Sequence, residues 1–167
     1  NIIFDFDAII AGTEPITEKV LDRANKLKLI SCVGIGLDSV DLIAAQKRDI
    51  KVSYTPDAPS LAVTELTIGM MLILLRSVHV SNSQMHKGKW HRIFGRRLGE
   101  VTVGIIGVGR IGAGVLKMLS GFEASTILVN DIEQNHELDC KFNLNWTSKE
   151  KIYQDSDIIS LHLPLTH

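Results

Sequence analysis

The amino-acid sequence predicts an α/β fold with parallel sheets, on the basis of three observations. Short apolar runs alternate with segments of helical periodicity in the first third of the chain. The alternation returns after residue 100, where the apolar run Val101–Ile106 is typical of a strand buried on both faces. A glycine-rich turn follows this run and leads into a helical pattern. Strands that alternate with helices in this way pair in parallel through right-handed crossovers.

The first domain is predicted to cover residues 1–58 and to contain three strands and two helices. Apolar runs and turn residues place the strands at Ala8–Ala11, Leu27–Val33 and Ile50–Tyr54, and the helices within Thr17–Ala24 and over Asp41–Arg48. The segment TPDAPS, residues 55–60, has two prolines in six residues. We therefore place the domain boundary there.

The second domain is predicted to cover residues 59–167. Ser60 can cap a helix that runs to about Met85, and the middle of this helix, IGMMLILLR, is apolar nearly all round. Such a helix lies either between domains or subunits, or in an ordinary core. Residues 87–100 are basic and predict a connecting loop. Strands are then predicted at Val101–Ile106, Thr126–Val129 and Asp157–Leu161, and helices at Arg110–Leu119 and from Ser148 to Gln154.

The charge balance argues against nucleic acid and membrane partners. The chain has 18 lysines and arginines against 19 aspartates and glutamates, and the basic residues are spread out. No leader sequence is evident, and the longest uninterrupted apolar run, Ile68–Leu75, is much shorter than the ~20 residues that cross a bilayer. We expect a soluble protein.

The cysteines and histidines indicate neither a disulfide framework nor a metal site. Cys32 and Cys140 are far apart in unlike contexts and fit two reduced thiols, which predicts a cytoplasmic location. Four histidines could be considered as metal ligands: His79, His86, His91 and His136. They have neither a short ligand spacing nor a neighbouring acidic cluster. We expect no bound metal.

The glycine-rich turn predicts a dinucleotide site. Gly107, Gly109 and Gly112 have the spacing G-x-G-x-x-G, and Asp131 ends the next strand 19 positions after the last glycine. These glycines permit, in order, a tight turn, the approach of a pyrophosphate, and close packing of the helix, whose N-terminal amides face the phosphates. Asp131 would accept hydrogen bonds from the ribose and repel a 2′-phosphate, which favours NAD over NADP. A glycine turn without a ligand is the alternative.

Five segments in series resemble the D-isomer-specific 2-hydroxyacid dehydrogenases, most closely their phosphoglycerate dehydrogenase-like members. They are CVGIGLDSVDL (32–42), VTELTIGMMLILLR (63–76), GKW (88–90), VGIIGVGRIG (103–112) and SDIISLHLPLT (156–166). The resemblance implies a flavodoxin-like portion of a substrate domain, followed by a partial Rossmann NAD-binding domain. It also implies a homodimer that transfers a hydride between NAD(H) and a D-2-hydroxy acid or 2-keto acid, with the helix of residues 60–85 at an interdomain or dimer contact.

The resemblance also assigns site residues. The phosphate loop corresponds to Gly107, Gly109, Arg110, Ile111 and Gly112, the ribose acceptor to Asp131, and the segment beside the adenosine to His162, Leu163, Pro164 and Thr166. The loop whose amides receive the substrate carboxylate corresponds to Val33, Gly34, Ile35 and Gly36. Asp38 and Asp41 are interpreted instead as a helix cap and a solvated first-turn charge.

The family's catalytic arginine, glutamate and histidine come after the segment that resembles LHLPLT. We therefore expect them beyond His167 and expect no catalytic residue within the chain. On this interpretation the sequence is part of a longer dehydrogenase, and these 167 residues alone are inactive. Two alternatives remain: an NAD-sensing, corepressor-like binding protein, and a noncatalytic fragment that supplies an oligomerisation surface.

Overall fold

The computed structural model describes residues 3–124, 126–142 and 144–164, and the chain divides into two compact units, Asn1–Pro59 and Ser60–His167. Each unit contains a sheet of parallel strands with helices between them. The prediction of an α/β fold with parallel sheets is therefore confirmed. The division after Pro59 lies one residue from the boundary that the prolines predict.

The first unit is a three-stranded parallel sheet with the strand order β1-β2-β3. The strands are β1 (Ala8–Ala11), β2 (Leu29–Cys32) and β3 (Lys51–Ser53), and the helices are α1 (Glu18–Leu21) and α2 (Leu42–Lys47), preceded by a 3₁₀ turn at Ile3–Asp5. The side chain of Asp41 accepts a hydrogen bond from the Ala44 amide over 2.9 Å and caps α2. Asp41, and not Asp38, is therefore the cap, because the helix begins one residue later than predicted and Asp41 itself has extended backbone.

The second unit begins with two helices and continues as a four-stranded parallel sheet. Its elements are α3 (Ser60–Leu75), α4 (Val78–His86), a 3₁₀ turn (Leu98–Glu100), β4 (Thr102–Ile106), α5 (Arg110–Ser120), β5 (Thr126–Asn130), α6 (His136–Lys141), β6 (Leu144–Trp146), α7 (Lys149–Asp155) and β7 (Ile158–Leu161). The strand order β6-β5-β4-β7 is that of a Rossmann sheet, in which the first and fourth strands are neighbours and the order reverses between them.

The core of the second unit surrounds β4 and the helix that follows it. Val103 and Ile105 of β4 are fully buried, as are Val115, Leu116 and Leu119 of α5. Helix α3 packs against α5 where Thr64, itself 2% exposed, faces a glycine: a Cβ on Gly114 would lie 2.6 Å from the Thr64 hydroxyl oxygen. The backbones of the two helices therefore approach closely at this point.

The prediction of one continuous helix from Ser60 to about Met85 is wrong. Ser77 adopts a left-handed conformation with φ of 50°, which ends α3 and bends α4 away by 67°. Within the described ranges no single helix is long and apolar enough to span a membrane, and only the bent pair α3 and α4 together has that length and composition.

Sequence reasoning also missed α6 and β6. Residues 132–146 carry neither a clear helical nor a clear alternating apolar pattern. The structure holds them by specific polar contacts instead: the Asn135 side chain caps α6, and the indole N–H of Trp146 donates to the Asp139 carboxylate. Polar contacts of this kind leave no periodic apolar signal in the sequence.

Candidate functional site

The turn from β4 into α5 requires glycine at two of its three motif positions. Gly107 has φ of +92°, and a Cβ there would overlap the carbonyl oxygen of His162. A Cβ on Gly112 would overlap the carbonyl oxygen of Gly107. The first glycine therefore permits the turn beside the end of β7, and the third lets the helix lie directly on the loop.

Gly109 differs from the other two because nothing crowds it. Its φ of −71° suits any residue, and a Cβ built on it would meet no atom of the described chain within 4 Å. It is the N-cap residue of α5 and, as a glycine, has no side chain with which to cap this helix end. The eleven-residue helix therefore begins beside the open space at Gly109, and its N-terminus carries partial positive charge.

Asp131 is fixed by two backbone hydrogen bonds at the end of β5. Its Oδ2 accepts from the Val108 amide and its Oδ1 from the Ile132 amide, each over 2.6 Å. Every carboxylate oxygen has two lone pairs, so both oxygens can accept one further hydrogen bond each. Asp131 and Val108 line the same open cavity of about 750 Å³. The carboxylate therefore faces a cavity next to the glycine loop.

The segment after β7 completes this edge of the sheet. The His162 amide donates to the Ile106 carbonyl over 2.8 Å, and the His162 ring nitrogen Nε2 lies 3.0 Å from the Ser160 hydroxyl. Burial lowers the pKa of His162, which keeps the imidazole neutral near pH 7. Leu163 lines a small cavity of about 150 Å³ together with Asp131. Pro164 follows, and Thr166 lies outside the described residues.

The loop Val33–Gly36 belongs to the first unit and continues from β2. The Val33 amide donates to the Ala11 carbonyl over 2.8 Å. The Gly34 amide donates to the Thr55 hydroxyl over 2.8 Å, while the Thr55 amide donates back to the Gly34 carbonyl over 3.0 Å. Gly34 has φ of +127°, so the bend depends on glycine.

Two residues at the edge of the second sheet were not predicted from the sequence. The Asn130 side-chain amide donates to the Thr147 carbonyl over 2.7 Å, and the Asn130 backbone carbonyl accepts from the Gly107 amide over 2.9 Å. Lys149, the first residue of α7, lines the small cavity beside Asp131. Asn130 is the last residue of β5 and Lys149 follows β6, and this position at the carboxyl edge of the sheet is the signal that could have identified them. Within the described residues no three His, Cys, Asp or Glu side chains converge as a metal site.

The second unit, which contains the glycine loop and Asp131, matches a known protein family. Residues 68–167 match the model of the D-isomer specific 2-hydroxyacid dehydrogenase NAD-binding domain. The chain belongs to this family. In the D-2-hydroxyacid dehydrogenases NAD is the cofactor of this domain, so the glycine loop and Asp131 of this member lie in an NAD-binding Rossmann domain.

Individual relatives in the D-2-hydroxyacid dehydrogenase family share about a third of their residues with this chain. The glyoxylate reductase of Thermofilum pendens is 35% identical over 172 residues, which cover 98% of this chain and 50% of the relative. The D-3-phosphoglycerate dehydrogenase of Homo sapiens is 35% identical over 159 residues, which cover 94% of this chain and 30% of the relative. The chain thus spans between 30% and 50% of the length of these relatives.

Solved structures of other proteins have the same fold as this chain. The D-lactate dehydrogenase of Aquifex aeolicus, determined with NAD and lactic acid, superposes with a TM-score of 0.87 at 30% identity. The match covers 98% of this chain and 50% of that protein. The TT0316 protein of Thermus thermophilus also superposes with a TM-score of 0.87 at 30% identity, and the match covers 98% of this chain and 53% of that one.

Proposed function

We propose that this chain is the NAD-binding part of an oxidoreductase that transfers a hydride between NAD(H) and a D-2-hydroxy acid or 2-keto acid. NAD supplies the chemistry, because its nicotinamide ring accepts or donates the hydride. The observation that carries the proposal is the uncapped N-terminus of α5, open at Gly109, beside a carboxylate held against the same loop. These features fit a diphosphate and a ribose.

The residues of the second unit divide between the parts of the cofactor. We propose that Gly109, Arg110, Ile111 and Gly112 hold the pyrophosphate at the start of α5, where backbone amides and the helix dipole favour an anion. Asp131 accepts hydrogen bonds from the ribose hydroxyls. His162, Leu163, Pro164 and Thr166 border the adenosine.

A titration of the 167-residue chain with NADH, followed by calorimetry or by tryptophan fluorescence, tests this proposal. We expect saturable binding, and no binding at millimolar NAD or NADH would overturn it. Gly109→Asp should abolish binding without unfolding the protein, because the space at Gly109 is open and the added charge repels phosphate. Ser120→Asp adds the same charge at the other end of α5 and is the matched control.

We also propose that the amides of Ile35 and Gly36 receive the substrate carboxylate. The Val33 and Gly34 amides already donate to Ala11 and Thr55, which leaves the second half of the loop for an anion. Since the catalytic arginine, glutamate and histidine are expected outside these 167 residues, we expect no oxidation of NADH by this chain with glyoxylate, hydroxypyruvate or phosphohydroxypyruvate. Measurable turnover would contradict that expectation.

A homodimer built on α3 and α4 is our proposal for the assembly. Leu66, Met70 and Leu74 follow one another at four-residue spacing along one face of α3 and are each 55–63% exposed, and Val78 and Met85 of α4 are 48% and 59% exposed. An exposed apolar face of this kind is typical of an interface between subunits. The free cysteines Cys32 and Cys140 support a further proposal, a cytoplasmic location.

A further inference from the structure

The cavity beside Asp131 is also lined by other acidic residues. Its lining comes mostly from the segment between β5 and α6, and three of the lining side chains are carboxylates: Asp131, Glu133 and Glu137. Glu133 and Glu137 are exposed at the surface of the cavity. Three negative charges therefore face one space next to the glycine loop.

The basic groups nearby offset only part of this charge. His136 also lines the cavity, but its Nδ1 lies 3.4 Å from the Asp139 carboxylate, which neutralises the imidazole's charge when it is protonated. The other Asp139 oxygen accepts from the Trp146 indole, so this carboxylate is held in place. Lys149 lines the smaller cavity on another side of Asp131. The side chains that line the two cavities therefore carry a net negative charge.

We propose that Glu133 and Glu137 are specificity-determining residues that exclude NADP in addition to Asp131. The inference rests on the proposed NAD site in this cavity. A 2′-phosphate on the ribose carries close to two negative charges, and carboxylates that share its space disfavour its binding by Coulomb repulsion. Exposed carboxylates are screened by solvent, so each contributes only a severalfold preference.

One consequence separates this proposal from selection by Asp131 alone. When Asp131 is changed to Asn, Glu133 and Glu137 still face the cavity, so the variant should continue to discriminate against a 2′-phosphate. Neutralising all three carboxylates should lower the discrimination further than the change of Asp131 does. The added gain should be largest at low salt, because exposed charges are screened as the ionic strength rises.

The experiment compares two ligands that differ only in the 2′-phosphate, 5′-AMP and adenosine 2′,5′-bisphosphate, with NAD binding measured in parallel. Their dissociation constants are measured by calorimetry at low and high salt for the wild type, Glu133→Gln/Glu137→Gln, Asp131→Asn and the triple variant. The control is Glu123→Gln/Asp155→Asn, which removes two exposed carboxylates that precede β5 and β7 at the opposite edge of the sheet.

We expect the double variant at Glu133 and Glu137 to bind the bisphosphate about three- to tenfold more tightly relative to 5′-AMP than the wild type does. High salt should reduce that gain, and the control should show none. An unchanged ratio in the double variant, or an equal change in the control, would overturn the inference while NAD binding by the wild type upholds the proposed function. Failure of the wild type to bind NAD would overturn both.

Discussion

The Val108 amide donates to Asp131 Oδ2 over 2.6 Å and thereby connects the glycine loop after β4 to the carboxylate that directly follows β5. One carboxylate thus shapes the loop and remains able to accept a hydrogen bond from a ligand. The Asn130 carbonyl, which accepts from the Gly107 amide, holds the start of the same loop. The phosphate and ribose parts of the proposed site are therefore fixed relative to each other by these two hydrogen bonds.

Asp131→Ala should weaken NAD binding by about ten- to a hundredfold, because hydrogen bonds to a charged group contribute roughly 1.5–3 kcal/mol. The variant also loses the acceptor of the Val108 amide, so part of the effect comes from a looser loop. Titration with NADH measures the change. Asp155→Asn, at the opposite edge of the sheet, is the control, and equal affinities for Asp131→Ala and the wild type would contradict the role of Asp131.

Gly112→Ala should lower the stability of the protein, whereas Gly109→Ala should lower its affinity for NAD. A methyl group on Gly112 overlaps the Gly107 carbonyl, so we expect a loss of about 2–4 kcal/mol in the free energy of unfolding. A methyl group on Gly109 meets open space, so stability should change little while NAD affinity falls. Urea denaturation and NADH titration distinguish the two outcomes. Equal stabilities of the two variants would contradict the assignment of the close contact to Gly112.

The centre of the second unit could be predicted from the sequence because burial alone determines it. Apolar residues place β4 at Val101–Ile106, against an observed Thr102–Ile106, and place α5 at Arg110–Leu119, against Arg110–Ser120. These two elements are buried by neighbours on both sides and therefore carry continuous or periodic apolar patterns.

The break between α3 and α4 could not be predicted in this way. The Leu75 carbonyl accepts from the Arg96 amide over 3.0 Å, and a Cβ on Gly95 would lie 2.5 Å from the same oxygen. A segment twenty residues away thus occupies the end of the helix, and nothing local to Ser77 indicates it. Within the candidate site, Asp131 and the glycines could be predicted by spacing, whereas Asn130 and Lys149 depend on how neighbouring strands end.

Ser156→Ala should leave the protein as stable or make it about 1 kcal/mol more stable. The Ser156 hydroxyl is buried without a hydrogen-bond partner among the described residues, and a buried unsatisfied polar group costs roughly 1–3 kcal/mol. Ser148→Ala is the matched comparison: it removes the cap that accepts from the Lys151 amide and should cost about 1 kcal/mol. Urea denaturation measures both. A clear destabilisation by Ser156→Ala would reveal a partner for this hydroxyl.

The ion pair between Arg96 and Asp157 should contribute to stability above about pH 4 and lose its effect in acid. The Arg96 guanidinium, with the Thr102 amide, lowers the pKa of Asp157 below its ordinary value. A carboxyl group with a lowered pKa in the folded state stabilises the fold above its unfolded pKa of about 3.9, and this contribution is lost as the pH falls through the folded value. Unfolding free energies of Asp157→Asn and the wild type should therefore converge below pH 4. A constant difference down to pH 2 would contradict the assignment.

The proposed homodimer predicts that Leu66→Lys/Leu74→Lys shifts the protein from dimer to monomer. Both side chains are more than half exposed on α3, and a lysine in a buried interface must lose its hydration without a partner. The core-facing residues Ile68 and Met71 are unchanged, so the fold should persist, as a thermal melt followed by circular dichroism can verify. Sedimentation velocity measures the assembly. Tyr153→Lys, a change at an exposed side chain of α7, is the control, and a dimer retained by the double variant would exclude this face of α3 from the subunit contact.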